Sequence, residues 1–344
     1  MVRVAFMKQS RFLLLLLLAV FLFAWFVACA KYSRSSAAAG GFRVQLQPVE
    51  LDLNDPQRVQ FDRLKLLGAF QLRSSDARFG GLSGLAIGSD GRFYAVSDRG
   101  FWLSAQIHLH ANGRLADFTD WHIAPLLGPA KTRIKTGLTD AEGLAQAPDG
   151  SFLVSFEHVH RIWRYPGPPE TLKGAATPIG LPDEILEAPA NGGLEAISVR
   201  PDARVLAIAE RLEYRGGSYR AWLIKNGRSE RLSYVAAAGF KTSDAVALRN
   251  GDVLVLERRH DLPLRFSARL ALVKAKDIRA GATLKGREKI RLEAPLRTDN
   301  FEGIAVKETA EGTMIFLVSD DNYFSFQRTL LLQFLLPNSG KLLD

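Results

Sequence analysis

The feature that most constrains the fold is a short unit that the chain repeats five times. Its clearest copy, TDAEGLAQAPDGSFLVSFEH at positions 139–158, places Glu142 before an apolar run, a Pro-Asp-Gly turn, a second apolar run and Glu157. Two β-prone runs around a Gly-containing turn predict a β-hairpin. Because the start of the first strand and the end of the second lie at the same edge of a hairpin, we expect the two carboxylates to lie close together.

The other copies keep the same order of elements with different end residues. Their first and last members are Ser83 and Asp98, Glu142 and Glu157, Glu195 and Glu210, Asp244 and Glu257, and Glu302 and Asp320. The two members are fifteen positions apart in the first three copies, thirteen in the fourth and eighteen in the fifth. Successive first members lie 59, 53, 49 and 58 positions apart, and a period of this length with several short strands indicates a β-propeller. We therefore expect an all-β fold of five blades, or of six if positions 42–73 build another.

The two ends of the chain are expected to close the ring together. The run at positions 329–336 ends the last unit after only three strands, whereas a propeller blade has four. Two β-like runs, at positions 42–53 and 61–73, precede the first hairpin and lack its acidic pattern. An N-terminal strand is therefore predicted to complete the last blade.

The first 29 positions read as an export signal. Arg3, Lys8 and Arg11 form a positive start, and positions 12–28 are an uncharged apolar run. Seventeen residues are rather few for a stable span of the bilayer and suit a signal peptide. This pattern predicts an exported bacterial protein of the periplasm.

Cys29 follows the apolar run and is the only cysteine of the chain, so the sequence offers no disulfide pair. Its context resembles a bacterial lipoprotein box, which predicts lipidation of Cys29 and an outer-membrane anchor. Simple cleavage at Ala28-Cys29-Ala30 and retention of the apolar run as an anchor remain open. Positions 30–41 read as a flexible tether, and positions 42–344 as the propeller domain, which we expect to be monomeric.

The charge balance argues against nucleic-acid binding. The formal net charge is +9, but the N-terminal signal contributes three positive charges, and the remaining basic residues are scattered rather than clustered with aromatic side chains. A hydrophobic content of 47% is sufficient for a substantial core.

The repeated carboxylates predict a metal site at one end of the ring. Crowded carboxylates in a low-dielectric setting become protonated or acquire a positive partner. Oxygen ligands at this density suit a hard divalent cation, with Ca²⁺ ahead of Mg²⁺ or Mn²⁺. The predicted metal ligands are Asp98, Glu142, Glu195, Glu302 and Asp320.

Other charged residues of the hairpins are candidates for catalysis. Glu157 and Glu210 could act as a base for water, and the residue after the second acid is Arg99, His158 or Arg211 in the first three copies. These cations either pair with an acid of a neighbouring blade or face outward to hold phosphate. Arg258 follows Glu257 in the fourth copy and has the same two readings.

Three other catalytic patterns are weaker. Gly81 to Leu85 approaches the G-x-S-x-G nucleophile elbow around Ser83 but lacks the second glycine. His108 and His110, like His158 and His160, place two imidazoles on one face of a strand, as zinc binding requires, but no third ligand is evident.

The repeated unit resembles the phytase-like family in its G-L-[SE]-[GA]-[IL] start, its D-G turn and its closing V-S-D-R or S-x-E-[HR]. This family is described as having esterase-like activity of phytase and is known mainly from exported bacterial proteins. The similarity covers about positions 61–336, and Ser83 departs from the acidic pattern. The resemblance implies a propeller that hydrolyses phosphoesters with a metal. The residues that it implicates are Asp98, Glu142, Glu157, Glu195, Glu210, Glu302 and Asp320.

Two functions follow from these patterns. The first is an exported metal-dependent phosphoesterase that acts on a small phosphorylated substrate. The alternative is a non-catalytic cell-envelope propeller that binds a ligand or protein partner and holds a structural metal. A lactonase-like reaction is a third reading of an acid-lined propeller.

Overall fold

The computed structural model describes residues 41–261 and 265–338. The predicted signal peptide, Cys29 and nearly all of the tether lie outside these ranges, so the expectations for them remain predictions. Within the described ranges, no helix is long and apolar enough to cross a membrane.

The strands form five sheets, which we call blades 1 to 5. The chain begins with β1 (Gln45–Pro48), β2 (Gln60–Phe61) and β3 (Leu64–Arg73). Blade 1 contains β4 (Leu82–Ile87), β5 (Arg92–Ser97), β6 (Phe101–Leu109) and β7 (Leu115–Pro125). Blade 2 contains β8 (Ala141–Gln146), β9 (Phe152–Phe156), β10 (Arg161–Tyr165) and β11 (Thr177–Pro178).

The next two blades are linked by a crossing strand. Blade 3 contains β12 (Leu194–Val199), β13 (Val205–Glu213), β14 (Tyr219–Lys225) and β15 (Arg228–Val235). Blade 4 contains β16 (Lys241–Ala247), β17 (Val253–Asp261), β18 (Arg265–Val273) and, after β19 (Thr283–Lys285), β20 (Arg287–Leu292). β19 leaves its own blade and pairs in parallel with β15. Short 3-10 helices lie at Pro129–Lys131, Thr171–Lys173, Asp183–Glu187, Arg215–Gly217 and Ala275–Asp277.

Blade 5 joins the two ends of the chain. It contains β21 (Asn300–Glu308), β22 (Gly312–Asp320) and β23 (Leu330–Pro337), and β23 pairs with β3 through Leu330 opposite Gln71. β1 then pairs with the outer side of β3, with Gln45 opposite Arg73. The N-terminal runs thus complete the fifth blade instead of building a sixth, which confirms the predicted closure of a five-bladed β-propeller.

The first strands of the blades line the centre of the ring. β4, β8, β12, β16 and β21 each contact the next in this order, and β21 contacts β4. Apolar side chains fill the space between neighbouring blades, as where Trp102 of blade 1 packs against Phe152 and Tyr165 of blade 2 with ring centroids 5.9 and 5.3 Å apart. Burial of such large aromatic surfaces is the main stabilising contribution to this contact.

A β-bulge recurs near the start of the first strand in every blade. In blade 3 the pairing passes from Leu194 opposite Ala209 to Ala196 opposite Ile208, which leaves Glu195 without a partner across the ladder. A bulge redirects the side chain of the extra residue and bends the strand. The unpaired residues are Ser83, Glu142 with Gly143, Glu195, Ser243 and Glu302.

The glycine within the bulge of blade 2, Gly143, is required by close packing between first strands. A Cβ atom on Gly143 would lie 2.4 Å from the carbonyl oxygen of Glu195 in the next blade. Glycine is the residue that permits such an approach between backbones. The backbone that carries Glu142 therefore lies directly against the backbone that carries Glu195.

Candidate active site

The five bulges place two functional positions per blade at one end of the ring, which we call the mouth. One position is the bulge residue, and the other is the residue that follows the cross-strand partner of the residue before the bulge. The mouth pairs are Ser83 with Asp98, Glu142 with Glu157, Glu195 with Glu210, Ser243 with Arg258, and Glu302 with Asp320. The two members are fifteen positions apart in blades 1 to 4 and eighteen in blade 5.

Blade 4 differs from the prediction, because Asp244 and Glu257 do not occupy mouth positions. The Asp244 side chain is fully buried and accepts hydrogen bonds from the backbone N–H groups of Ala245 and Ile304 at 2.8 Å. Glu257 accepts hydrogen bonds from Tyr234 Oη at 2.5 Å and from Arg269 Nη1 at 2.7 Å, within the body of the sheets. Both acids therefore stabilise packing between blades and strands.

Arg258 takes the mouth position that the prediction gave to an acid. Its Nη2 lies 3.3 Å from Glu195 Oε2 and 3.3 Å from Glu210 Oε1, and its Nη1 lies 3.0 Å from Glu302 Oε1. The three carboxylates raise the pKa of Arg258 well above its usual value, against the opposing effect of burial. Arg258 thus neutralises part of the mouth and joins blade 4 to blades 3 and 5, which corresponds to the first of the two readings of its position.

Three further acids lie at the blade 2 part of the mouth and are not among the ion-pair partners of Arg258. Asp140, Glu142 and Glu157 each offer one oxygen, and these oxygens all lie within 4.8 Å of one another. We call these three residues the acid cluster. Asp140 was not among the predicted site residues, whereas Glu142 was predicted as a ligand and Glu157 as a base.

Backbone groups fix the orientation of Glu157. Its Oε1 accepts hydrogen bonds from the N–H groups of Gly192 and Gly193 at 2.5 and 2.6 Å. These glycines lead into the first strand of blade 3, so the carboxylate is held between two blades. Two N–H donors on one oxygen favour the charged form, but they do not supply a countercharge.

Burial and mutual repulsion perturb the acids of the mouth. Burial first, and then the charges of Glu195, Glu302 and Glu157, raises the pKa of Glu142 well above its usual value. Burial raises the pKa of Glu157 to about 7 in spite of its two backbone donors. Titratable groups perturbed in this way concentrate at functional sites.

The remaining predicted ligands show the same trend. Burial and the charges of Asp140 and Glu302 raise the pKa of Asp98 to about 7, and Asp98 Oδ1 is buried without a hydrogen-bond partner. Burial raises the pKa of Asp320, Glu195 and Glu302 as well, although Arg258 partly offsets the effect for the two glutamates. The mouth therefore carries more buried negative charge than Arg258 alone compensates.

The predicted phosphate-holding cations lie around this mouth. His158 Nε2 is 3.0 Å from Asp140 Oδ2, and Arg211 Nε is 2.7 Å from Glu210 Oε2. The guanidinium of Arg99 stacks on the ring of Tyr323, with its carbon 3.3 Å from the ring centroid. The side chains of His158 and Arg211 remain 46% exposed, so both can reach a molecule at the mouth.

The weaker catalytic patterns find no supporting geometry. The Ser83 hydroxyl is buried and donates a hydrogen bond to the carbonyl oxygen of Ala141, so it does not act as an activated nucleophile. His160 lies 2.9 Å through Nε2 from the carbonyl oxygen of Pro189, and His108 bonds Thr119. In the described part of the chain, the group that could hold a metal contains no histidine.

The acid cluster fits a hard divalent cation by its donor chemistry. Its ligand atoms are carboxylate oxygens, which Ca²⁺ and Mg²⁺ prefer, and no thiol or imidazole belongs to it. A divalent cation there would reverse the raised pKa of Glu142, because a nearby positive charge stabilises the ionised form.

Comparisons with known proteins give one family. No curated protein matches the sequence. A calcium-binding protein, regucalcin, from Agrobacterium tumefaciens is 12% identical, with a TM-score of 0.43 over 84% of this chain and 94% of that chain. A catalytically inactive virginiamycin B lyase from Staphylococcus aureus with quinupristin is 10% identical, with a TM-score of 0.39 over 87% of this chain and 90% of that chain. The family model "Phytase-like: Esterase-like activity of phytase" matches residues 77–323, and the chain therefore belongs to the phytase-like family.

Proposed function

We propose that this protein is an exported, metal-dependent phosphoesterase that acts on small phosphorylated molecules at the mouth of the propeller. The observation that carries the proposal is the acid cluster of Asp140, Glu142 and Glu157, in which three carboxylates converge. Among the described residues, the ion pairing of this cluster is limited to His158 with Asp140. Membership of the phytase-like family supports the same class of reaction.

The acid cluster is the better candidate for the metal ligands than the wider predicted set. Glu195 and Glu302 are already paired with Arg258, and a cation placed against them would compete with that pairing. Asp140, Glu142 and Glu157 would hold the ion, with Ca²⁺ as the first candidate. A bound divalent cation neutralises clustered acids and draws charge from a phosphoryl oxygen.

Asp98 is the better candidate for the base. Its Oδ1 is buried without a hydrogen-bond partner and burial raises its pKa, which favours proton uptake, whereas Glu210 is compensated by Arg211 and Arg258. This proposal exchanges the predicted roles of Asp98 and Glu157. Arg99, His158 and Arg211 would orient the phosphate and stabilise its developing charge.

The test is hydrolysis of generic phosphate mono- and diesters by the purified protein, with and without chelator. We expect turnover that disappears with chelator and in Glu142→Gln, whereas the exposed-site control Glu170→Gln keeps it. Metal analysis of the same samples should give bound divalent ion in the parent and the control and none in Glu142→Gln. Absence of both turnover and metal would refute the proposal.

The pairing of Arg258 with three acids favours a second candidate, a non-catalytic envelope propeller with a structural metal. In that case, chelator lowers the melting temperature of a protein that hydrolyses none of the esters. For either function we propose export to the periplasm, with attachment to the outer membrane through lipidated Cys29, on the basis of the N-terminal sequence.

A further inference from the structure

An exposed aromatic pair lies on the loop between β22 and β23. Phe324 and Phe326 are 53% and 58% exposed, and their rings stack with centroids 5.1 Å apart and planes at 10°. Isolated exposed apolar residues are common, but two phenylalanine side chains that stack in the open form an apolar patch. Such a patch commonly marks a contact with a partner or a membrane.

The loop holds this pair in a defined conformation. Asn322 N donates to Asp320 Oδ1 at 2.6 Å, and Tyr323 N donates to Asp321 Oδ1 at 3.0 Å. Thr329 Oγ1 donates to Asp321 Oδ2 at 2.9 Å, which fixes the far end of the loop. The phenylalanines are therefore presented outward by a braced turn at the mouth end of blade 5.

The N-terminal chain enters the propeller at the same end of the same blade. Gln45 pairs with Arg73 at the mouth end of β3, and β3 pairs with β23, which begins where the aromatic loop ends. Two steps between neighbouring strands amount to about 10 Å. The segment that precedes the propeller thus starts close to Phe324 and Phe326.

The length of that segment limits how far the mouth can lie from an N-terminal anchor. Sixteen positions separate Cys29 from Gln45 and are rich in Gly, Ser and Ala. If this segment is the tether that the sequence predicts, its root-mean-square span is about 20–24 Å. An eight-residue strand is about 26 Å long, so an anchor at Cys29 keeps the mouth end nearer to the membrane than the opposite end.

We propose that the mouth of the propeller faces a lipid bilayer and that Phe324 and Phe326 enter the boundary between its headgroups and acyl chains. Aromatic side chains on a fixed surface feature favour this boundary. The inference concerns the orientation of the protein and does not depend on the reaction proposed for the mouth.

The test places a tryptophan at each end of the propeller. The full chain is reconstituted from detergent into vesicles of phosphatidylethanolamine and phosphatidylglycerol with brominated acyl chains, as the parent, Phe324→Trp or Arg249→Trp. Arg249 is the matched control, because its side chain is 84% exposed in the turn between β16 and β17 at the opposite end. The parent gives the background from the native tryptophans, four of which follow Cys29.

We expect the additional emission of Phe324→Trp to lose at least half of its intensity in brominated vesicles, relative to non-brominated vesicles. The additional emission of Arg249→Trp should stay unchanged. Equal quenching at both positions, or none at position 324, overturns the proposal. The proposal is also overturned if the emission at position 324 is blue-shifted in a way that depends on protein concentration and is not quenched by brominated lipid. The aromatic pair would then contact a second copy of the protein.

Discussion

Arg258 is predicted to be the residue of the mouth on which stability depends most. Replacement by methionine keeps the aliphatic stem but removes the cation that contacts Glu195, Glu210 and Glu302. The three carboxylates then face one another with no positive partner from blade 4. Arg258→Met should therefore unfold more readily than the parent.

The expected loss follows from the burial of the four groups. Removing one partner from a buried charge network lowers the free energy of unfolding by about 3–5 kcal/mol. Because the Arg258 side chain is 25% exposed, we expect the lower end of this range, about 3 kcal/mol. For a domain of about 300 residues, such a loss lowers the melting temperature by about 5 °C. A second substitution, Glu210→Gln, removes one of the repelling charges and should restore part of the stability.

The pH dependence gives the reasoning a second check. Without Arg258, the folded-state pKa values of Glu195 and Glu302 rise further above those of the unfolded chain. A group with a raised folded-state pKa stabilises the fold below its unfolded pKa and loses that contribution as the pH rises through the folded value. The deficit of Arg258→Met should therefore be larger at pH 8 than at pH 5.

The assay is urea unfolding of the parent, Arg258→Met, the double variant and the control Arg249→Met at both pH values, with chelator present. Arg249 is 84% exposed and 3.7 Å from Glu308, and exposed pairs contribute less than about 1 kcal/mol. A deficit for Arg258→Met no larger than that of the control, or one that is equal at pH 5 and pH 8, would refute the reasoning.

Three further predictions concern the backbone, the pH and the metal. Gly143→Ala should cost about 1–3 kcal/mol in urea unfolding, since its Cβ would meet the Glu195 carbonyl oxygen at 2.4 Å, whereas Gly180→Ala, with its nearest atom at 3.5 Å, should cost less. The metal-free parent should melt at a higher temperature at pH 5 than at pH 8. Asp98 and Glu157, with pKa values of about 7, stabilise the fold at low pH and lose that contribution as the pH rises through 7. Equal melting temperatures at the two pH values would contradict this prediction. Glu157→Gln keeps an oxygen for the N–H groups of Gly192 and Gly193, so calorimetric titration with Ca²⁺ should show roughly tenfold weaker binding by a normally folded variant. Unchanged affinity would exclude Glu157 from the metal site.

The architecture could be predicted because it depends on local patterns. Strand, turn and strand recur in every blade at nearly constant spacing, and a unit left with three strands indicates where the ends of the chain meet. The crossing of β19 to β15 could not be predicted in this way, since a three-residue strand carries little pattern of its own and pairs outside its blade.

The charge of its residues does not identify the mouth positions of blade 4. Asp244 and Glu257 are acidic but thirteen positions apart, whereas Ser243 and Arg258 keep the spacing of fifteen found in blades 1 to 3. The spacing was the better guide, because the bulge and the end of the second strand fix it. The charge at a mouth position can differ in sign from one blade to another, because a cation there can pair with acids of neighbouring blades.

Asp140 cannot be recognised from the repeat. It lies two positions before Glu142, and the corresponding residues of the other blades are Gly81, Gly193, Lys241 and Asn300. A repeat-based reading therefore gives this position no function. Only the folded backbone shows that it meets Glu142 and Glu157.

The pairing of β23 with β3 makes the fifth blade depend on both extremities of the polypeptide. The strand that locks the ring is made last, so the ring stays open throughout synthesis, and pairing across nearly the whole chain is slow to form. The same closure implies that a truncation before residue 330 leaves β3 and β1 without their neighbour and exposes the edge of β22 to aggregation.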